Sequence, residues 1–237
     1  MQIYWLKIKN IVEETPEIKT YLLERPQDFA WEPGAHTHFA MKGFNAGDRP
    51  NRNLVHHMSI STHPSEDAIG ITTRIRAQCS EFKSVLKRLT VGDETALFKT
   101  HNNLPLRRIG RNVYLLSSGV GLATFRPIAL DYLHRPDGVT RLYSLNIESS
   151  RQFLFRDIFR SAPEKNFTAE FVDNRPAYYA QVRKLAADKE GLFYIVGSDE
   201  FLTDNIAVLR EHGIADAQIM IDKREDQRPQ FLAQPAL

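Results

Sequence analysis

The chain of 237 residues holds a single cysteine, Cys79. One thiol cannot close an internal disulfide, a zinc cluster or an iron–sulfur cluster, so electron-transfer chemistry here requires an organic cofactor. An excess of charge of either sign is also lacking. Lys+Arg number 31 against 29 Asp+Glu, a formal net charge of +2, too little to argue for nucleic acid or a membrane surface as partner. No apolar run approaches the roughly 20 residues needed to span a bilayer. The start, Met1-Gln2-Ile3-Tyr4-Trp5, alternates like a strand and lacks the basic and long apolar regions of a signal peptide. The expectation is a cytoplasmic protein with no membrane span. Nucleophile constellations of the Ser-His-Asp or Cys-His kind are absent, and Gly119-Val120-Gly121 does not match a nucleophile elbow. Cys79 beside Ser80 reads as a reactive thiol at a helix start or, more commonly, as a small buried residue.

What is present falls into two halves with different periods. Gln2–Glu13, Glu17–Glu24, His36–Met41, Val55–Thr62, Ala68–Arg76 and Glu94–Lys99 are short alternating stretches separated by polar turns, the pattern of a closed or sandwiched antiparallel sheet. One helix interrupts them after Ser80, a good N-cap, with Phe82, Val85, Leu86 and Leu89 as its apolar stripe. After a polar linker at His101–Gly110 the period changes. Strands at Asn112–Leu116, Thr140–Leu145, Phe167–Val172, Leu192–Val196 and Ala217–Ile221 alternate with helices at Leu122–Leu133, Gln152–Ser161, Tyr178–Ala187 and Phe201–His212. That alternation predicts a parallel sheet covered on both faces. The predicted domains are therefore a β-barrel over residues 1–103 and a doubly wound α/β domain over residues 109–223, followed by a loosely held tail over residues 224–237.

Several segments could carry chemistry. Ser117-Ser118-Gly119-Val120-Gly121 joins a strand to a helix, where glycines admit a ligand to the backbone and the helix start attracts an anion; a plain tight turn is the competing reading. Val196-Gly197-Ser198-Asp199-Glu200-Phe201 is a second such junction, also readable as a capped helix start. Ligands of parallel sheets bind at the carboxyl ends of the strands, so two such turns point to one nucleotide site. Arg74-Ile75-Arg76 followed by Ser80 suits a pyrophosphate, or is a solvated basic strand edge. His56-His57-Met58-Ser59 raises the thought of a metal with His36, His38 or His63. Adjacent His56 and His57 on a strand point to opposite faces, His36 and His38 share one, and no third ligand can be placed; no metal site is predicted.

In order and spacing these segments resemble the ferredoxin–NADP reductase superfamily, over nearly the whole chain from Ile3 to Asp222. The family's Arg-x-Tyr-Ser/Thr flavin motif is similar to His56-His57-Met58-Ser59, where Ser59 matches. Its Gly-x-x-Ser is similar to Ala77-Gln78-Cys79-Ser80, where Ser80 matches. Its Gly-x-Gly-x-x-Pro resembles Gly119-Val120-Gly121-Leu122-Ala123-Thr124, with Thr124 for proline. Its Cys-Gly-Pro-x-x-Met resembles Val196-Gly197-Ser198-Asp199-Glu200-Phe201, with Gly197 kept. Trp31-Glu32-Pro33-Gly34 and Val91-Gly92-Asp93 match the family's turns before the third strand and after the helix.

The resemblance implies an FAD-binding antiparallel barrel followed by an NADH- or NADPH-binding α/β domain, with a hydride passing from nicotinamide to flavin. Electrons then leave to a separate acceptor: a ferredoxin or flavodoxin, free flavin, a ferric chelate or another subunit. Under it, Ser59 hydrogen-bonds near the reacting edge of the flavin, Met58 replaces the stacking aromatic, and His57 lies in the same motif. His56, Arg74, Ile75, Arg76 and Ser80 surround the pyrophosphate. Gly119, Gly121, Thr124, Gly197 and Ser198 line the nicotinamide cofactor. Glu148 sits where NADPH enzymes place a basic residue, which favours NADH, while Arg151 could turn toward a 2′-phosphate. His56, replacing an arginine, makes flavin affinity fall as pH rises. The alternative is a non-catalytic flavoprotein or partner-binding module that keeps the fold without the hydride transfer.

Overall fold

The computed structural model describes residues 2–160 and 166–232. Its two compact units divide between Pro105 and Leu106, and each carries one of the two sequence periods.

In the first unit the alternating stretches form strands β1 (Ile3–Thr15), β2 (Ile18–Leu23), β3 (Ala35–Met41), β4 (Val55–Ser59), β5 (Ile69–Arg74) and β6 (Glu94–Asn102). They make one sheet in the order β4-β3-β6-β1-β2-β5, every ladder antiparallel. The sheet curls until its two edges meet just past the end of β4, in an isolated bridge between Ile60 and Ile71. Ser61 N also donates to the Gly70 carbonyl at 2.8 Å. Beside that seam runs a chain of buried hydroxyls: Thr20 and Thr72 Oγ1 lie 2.8 Å apart, and Thr72 donates to Ser61 Oγ at 2.8 Å. The inward residues, among them Leu6, Ile8, Tyr21, Phe39, Ile71 and Leu97, close the main apolar core, and Ala40, Phe44, Ala96 and Phe98 form a smaller one. Helix α1 (Glu81–Leu86) adds Phe82 and Leu86, both fully buried. Ser80 caps it by accepting from Lys83 N at 3.4 Å.

Strand β6 runs past its predicted end at Lys99 and takes His101 and Asn102 out of the expected linker. The cause is a β-bulge. His38 pairs with Phe98 but His36 pairs with His101, so β6 carries an extra residue there, and Lys99 adopts φ +50°. That left-handed conformation turns the strand and re-aims the side chains beyond it.

The second unit is a parallel sheet of β7 (Arg111–Ser118), β8 (Val139–Ile147), β9 (Phe167–Val172), β10 (Leu192–Val196) and β11 (Ile219–Ile221), in the order β11-β10-β7-β8-β9. Helices α2 (Leu122–His134), α3 (Arg156–Arg160), α4 (Arg175–Leu185) and α5 (Asp199–Glu211) connect them. Every residue of β10 is buried, as expected of a strand covered on both faces. The chain winds one way from β7 through β8 to β9 and the other way to β10 and β11. The carboxyl end of β7 is therefore the switch point, where such sheets bind ligands. Helix α3 starts at Arg156 rather than Gln152, because Arg151 (φ 61°) and Phe155 (φ 52°) are left-handed and a right-handed helix cannot include them; Ser161, its expected end, lies outside the described residues. Helix α4 starts three residues earlier than its apolar stripe suggested. Asn174 caps it, accepting from Ala177 N at 2.9 Å. The described part of the tail is docked: Arg210 Nη2 donates to the Phe231 carbonyl at 3.0 Å and Leu232 is buried in the α/β core. Residues 233–237 lie outside the described residues. No described helix is long and apolar enough to cross a membrane.

The bulge makes a test of its own. A β-branched side chain is poorly tolerated at φ +50°, so Lys99→Val is expected to destabilise the protein by about 1–3 kcal/mol. Lys99→Gly, which removes the steric conflict, is expected to cost much less. Urea denaturation of the two variants measures the difference.

Candidate functional site

The first unit brings most of its sequence-selected residues to β4 and the start of α1. Alternation along β4 sorts them. His56 faces the core side and stacks on Phe82 of α1, ring centroids 4.2 Å apart and 13° from parallel. Met58 is on the same face and packs against the apolar core. Burial, and then the positive charge of Lys83, lower the pKa of His56 below its ordinary value, so at neutral pH it does not supply the charge of an arginine. The positive field comes from Arg74, at the end of β5, from Arg76, and from Lys83, which sequence reasoning passed over. Lys83 has its pKa lowered by burial first, with Arg76 and Arg74 contributing repulsion and Cys79 working in the opposite direction. Arg74 Nε lies 4.0 Å from Glu17. Arg76 stands beyond the end of β5, so the two arginines do not share a strand face as alternation suggested. Ile75 turns its side chain into the core. Cys79 is partly exposed, with Sγ 3.4 Å from Ser84 Oγ.

On the other face of the sheet, His57 meets His38, Nε2 to Nε2 at 2.8 Å. His36 meets His101 in the same way at 2.7 Å. His36 and His57 rings stack at 5.6 Å. The sequence placed His36 and His38 together; β4 and the bulged β6 supply the other two rings. Among the described residues no three His, Cys, Asp or Glu side chains are arranged to hold a metal ion. Burial, then repulsion from His101, His57 and His38, lowers the His36 pKa to about 3. Ser59, half-buried, pairs across the ladder with His36 on this same face.

In the second unit the ends of β7, β8 and β10 form the other site. Gly119 adopts φ 53° and starts a tight turn over Gly119–Gly121 that leads into α2. A Cβ on Gly121 would stand 2.8 Å from the Val196 carbonyl oxygen, so the loop lies flat against the end of β10 only because that residue is glycine. Thr124 is buried in the first turn of α2. Gly197 follows β10, and Ser198 caps α5, accepting from Phe201 N at 3.2 Å. Asn146, missed in the sequence because a lone asparagine in a strand carries no signal, ties the loop down. Its Nδ2 donates to Ser117 Oγ at 2.9 Å and to the Gly119 carbonyl at 3.3 Å. Its Oδ1 is buried and accepts from no protein donor, an arrangement that costs about 1–3 kcal/mol unless water or a ligand supplies the donor. At the end of β8, Glu148 is buried and accepts from Ser150 N at 3.1 Å and Ser150 Oγ at 2.9 Å. Arg151 bonds Asp173 at 2.6 Å, a partner that sequence reasoning did not foresee.

No family model and no curated protein matches the sequence. Solved structures match closely in shape. A ferredoxin NADP+ reductase from Neisseria gonorrhoeae with bound FAD and NADP has a TM-score of 0.80 at 17% identity, covering 94% of this chain and 98% of that one. The CS-b5R domains of human Ncb5or in the NAD+ form give 0.77 at 14% identity, covering 94% and 70%. The cytochrome b5 reductase domain of Ulva prolifera nitrate reductase gives 0.76 at 12% identity, covering 93% and 97%. The chain shares the fold of these solved reductases.

Gly121→Ala places a methyl group against backbone that cannot yield. It is expected to destabilise the protein by about 1–3 kcal/mol, measurable as a lowered thermal midpoint.

Proposed function

We propose that the chain is a flavoprotein reductase: it takes a hydride from NADH onto FAD and passes the electrons to a separate acceptor. One observation carries the reading. The fold is that of reductases solved with FAD and a nicotinamide dinucleotide, and the polar groups of this chain collect where such ligands need them. In the first unit Arg74 and Arg76 repel Lys83, which lies on the helix that Ser80 caps, a set that a pyrophosphate would neutralise. In the second, Gly119 and Gly121 open the backbone at the switch point, and the unmet Asn146 Oδ1 fits a ligand amide or hydroxyl donor. The bound cofactors would supply the hydride chemistry. The residues supply position: Ser59 toward the reacting edge of the flavin, with His57 on the same face of β4 and Met58 on the other, and Gly197, Ser198 and Thr124 along the nicotinamide side.

The acceptor is a small electron-transfer protein, free flavin or a ferric chelate. Glu148, already a buried carboxylate, repels a 2′-phosphate and can accept from ribose hydroxyls. Arg151 would have to leave Asp173 to hold a phosphate. Both favour NADH. One observation favours the alternative of a flavoprotein without hydride transfer: Met58 packs on the core, which leaves the stacking position of the flavin motif unfilled by an aromatic ring.

An absorbance titration decides between them. A purified protein that takes up one FAD, turns yellow and is bleached by NADH supports the reductase. A yellow protein that neither dinucleotide bleaches supports the alternative. A protein that takes up no FAD overturns both. A preference for NADPH of tenfold or more, about 1.4 kcal/mol, would overturn the assignment of Glu148 and Arg151.

The environment of His56 sets a pH dependence. Its pKa in the free protein is lowered below about 6.5, and a bound pyrophosphate raises it again by favouring the charged ring. FAD affinity is therefore highest below the free-protein pKa, falls as pH rises through the bound-state pKa, and is level above it. His56→Arg is expected to bind FAD more tightly than the native protein near pH ~8, with the gap closing toward pH ~5.5. Fluorescence titrations across that range measure it.

A further inference from the structure

The turn over Gly119–Gly121 is fixed differently at its two ends. Gly121 lies against the Val196 carbonyl, so packing holds it. Gly119, at φ 53°, has no side chain to restrict it, and glycine rotates its flanking peptides easily. What holds it is Asn146, near the end of β8. This residue is 1% exposed. Its Nδ2 donates to Ser117 Oγ at 2.9 Å, to the Ser117 carbonyl at 3.4 Å and to the Gly119 carbonyl at 3.3 Å. Both carbonyls can only accept, so the amide cannot be turned over, and Oδ1 points away from them.

We propose that Asn146 is a positioning residue for the dinucleotide: by holding the Gly119 carbonyl it aims the Val120 N–H at a phosphate oxygen of the bound nucleotide. The inference deepens the reductase reading and rests on it, specifically on dinucleotide binding at the carboxyl end of β7. The Gly119 carbonyl and the Val120 N–H belong to one planar peptide unit and point in opposite directions. A carbonyl held on the buried amide therefore turns the N–H to the other side. The same carbonyl also accepts from Leu122 N, so both of its lone pairs are engaged and the peptide keeps one orientation. Val120 stands at the start of the turn that leads into α2, where backbone N–H groups lack an intrahelical acceptor and a negative group is favoured. A donor already set in place binds without first being ordered.

Joining β7 to β8 does not require this side chain. The backbone ladder runs in register from Asn112 opposite Arg141 to Ser118 opposite Ile147, with Ser117 opposite Asn146 inside it. The bond to Gly119 reaches one residue past the end of that ladder, into the turn. An apolar side chain would fill the same buried position without leaving an acceptor unmet, so asparagine is a poor choice for packing alone. A carboxylate of the same shape would be worse for a phosphate. It would set an acceptor against the Gly119 carbonyl and bring a negative charge beside the nucleotide.

The test uses the FAD-loaded protein. NAD+ affinity is measured by calorimetry, and NADH oxidation by steady-state kinetics with ferricyanide as acceptor, with NADP+ and NADPH run in parallel. Asn146→Leu removes the donor, and Asn146→Asp keeps the shape but replaces the donor by an acceptor. Each should weaken NAD+ binding by about tenfold or more, the effect of one or two lost hydrogen bonds. The loss should fall on KM rather than on kcat. Ser117→Ala, which leaves the bond to Gly119 in place, should lose clearly less. FAD uptake, which the reductase reading places in the first unit, and the thermal midpoint show whether the variants are folded. In the native protein labelled with 15N, the Val120 amide signal should be among those that NAD+ shifts most, and it should shift less in Asn146→Asp. A holoprotein that binds neither dinucleotide overturns the reductase reading and this inference together. A holoprotein that binds one, with folded variants of native affinity, a loss confined to kcat, or a Val120 signal that the nucleotide leaves in place, overturns the role of Asn146 alone. The last outcome is read in the native protein and holds even where a substitution at Asn146 prevents folding.

Discussion

The two-residue period of β4 is the constraint on which the first unit depends. A five-residue strand must serve an apolar interior and a polar exterior at once, and neighbouring side chains cannot share a face. His56 and Met58 therefore go inward, against Phe82 and the core. His57 and Ser59 go outward, opposite His38 and His36. A shift of register by one residue would exchange the two sets. It would bury the histidine pairs and expose the face that meets α1. The fully buried core partners of the neighbouring strands, Phe39 and Leu97 among them, hold the register in place.

The second unit obeys a different constraint. Its central strands are covered on both faces, so polar groups there and on the covering helices must find partners within the protein. Tyr114 donates to Asp188 at 2.8 Å, Tyr143 to Glu170, and Tyr178 to Asn205 at 2.9 Å. Each pairing satisfies a hydroxyl that burial would otherwise penalise. Against that background the unmet Oδ1 of Asn146 stands out. It lies at the strand ends, where the backbone also opens through glycine, and not in the middle of the sheet.

The fold was legible because period is a local property. Alternation placed the six strands of the curled sheet, and Phe167–Val172 and Leu192–Val196 were predicted at their observed limits. The misses were tertiary. Nothing local says that Lys99 will take a left-handed conformation, so the end of β6 and the place of His101 were lost together. The same is true of Arg151 and Phe155, whose conformations delay α3. Glycine-bearing turns at the ends of β7 and β10 were visible as sequence. Lys83, Asn146 and Asp173 were not, because a single lysine on a helix or a single asparagine in a strand has many ordinary uses. Their significance comes from what the fold sets beside them.

The seam of the curled sheet carries a consequence of another kind. Elsewhere in the first unit, neighbouring strands are laced by ladders, but the two edges meet through one bridge, the backbone bond between Ser61 and Gly70, and the hydroxyls of Thr72 and Ser61. A ladder depends on backbone and tolerates most side chains. This closure depends in part on side-chain chemistry, the bond between the Thr72 and Ser61 hydroxyls, whose loss would leave the strands themselves intact. The barrel is thus a cylinder with a buttonhole: opening it there disturbs few backbone bonds, and the same stretch that fastens it runs on from Ser59. The bridge residue Ile60 follows that serine directly, so one continuous stretch of chain both fastens the wall and sets the position of Ser59.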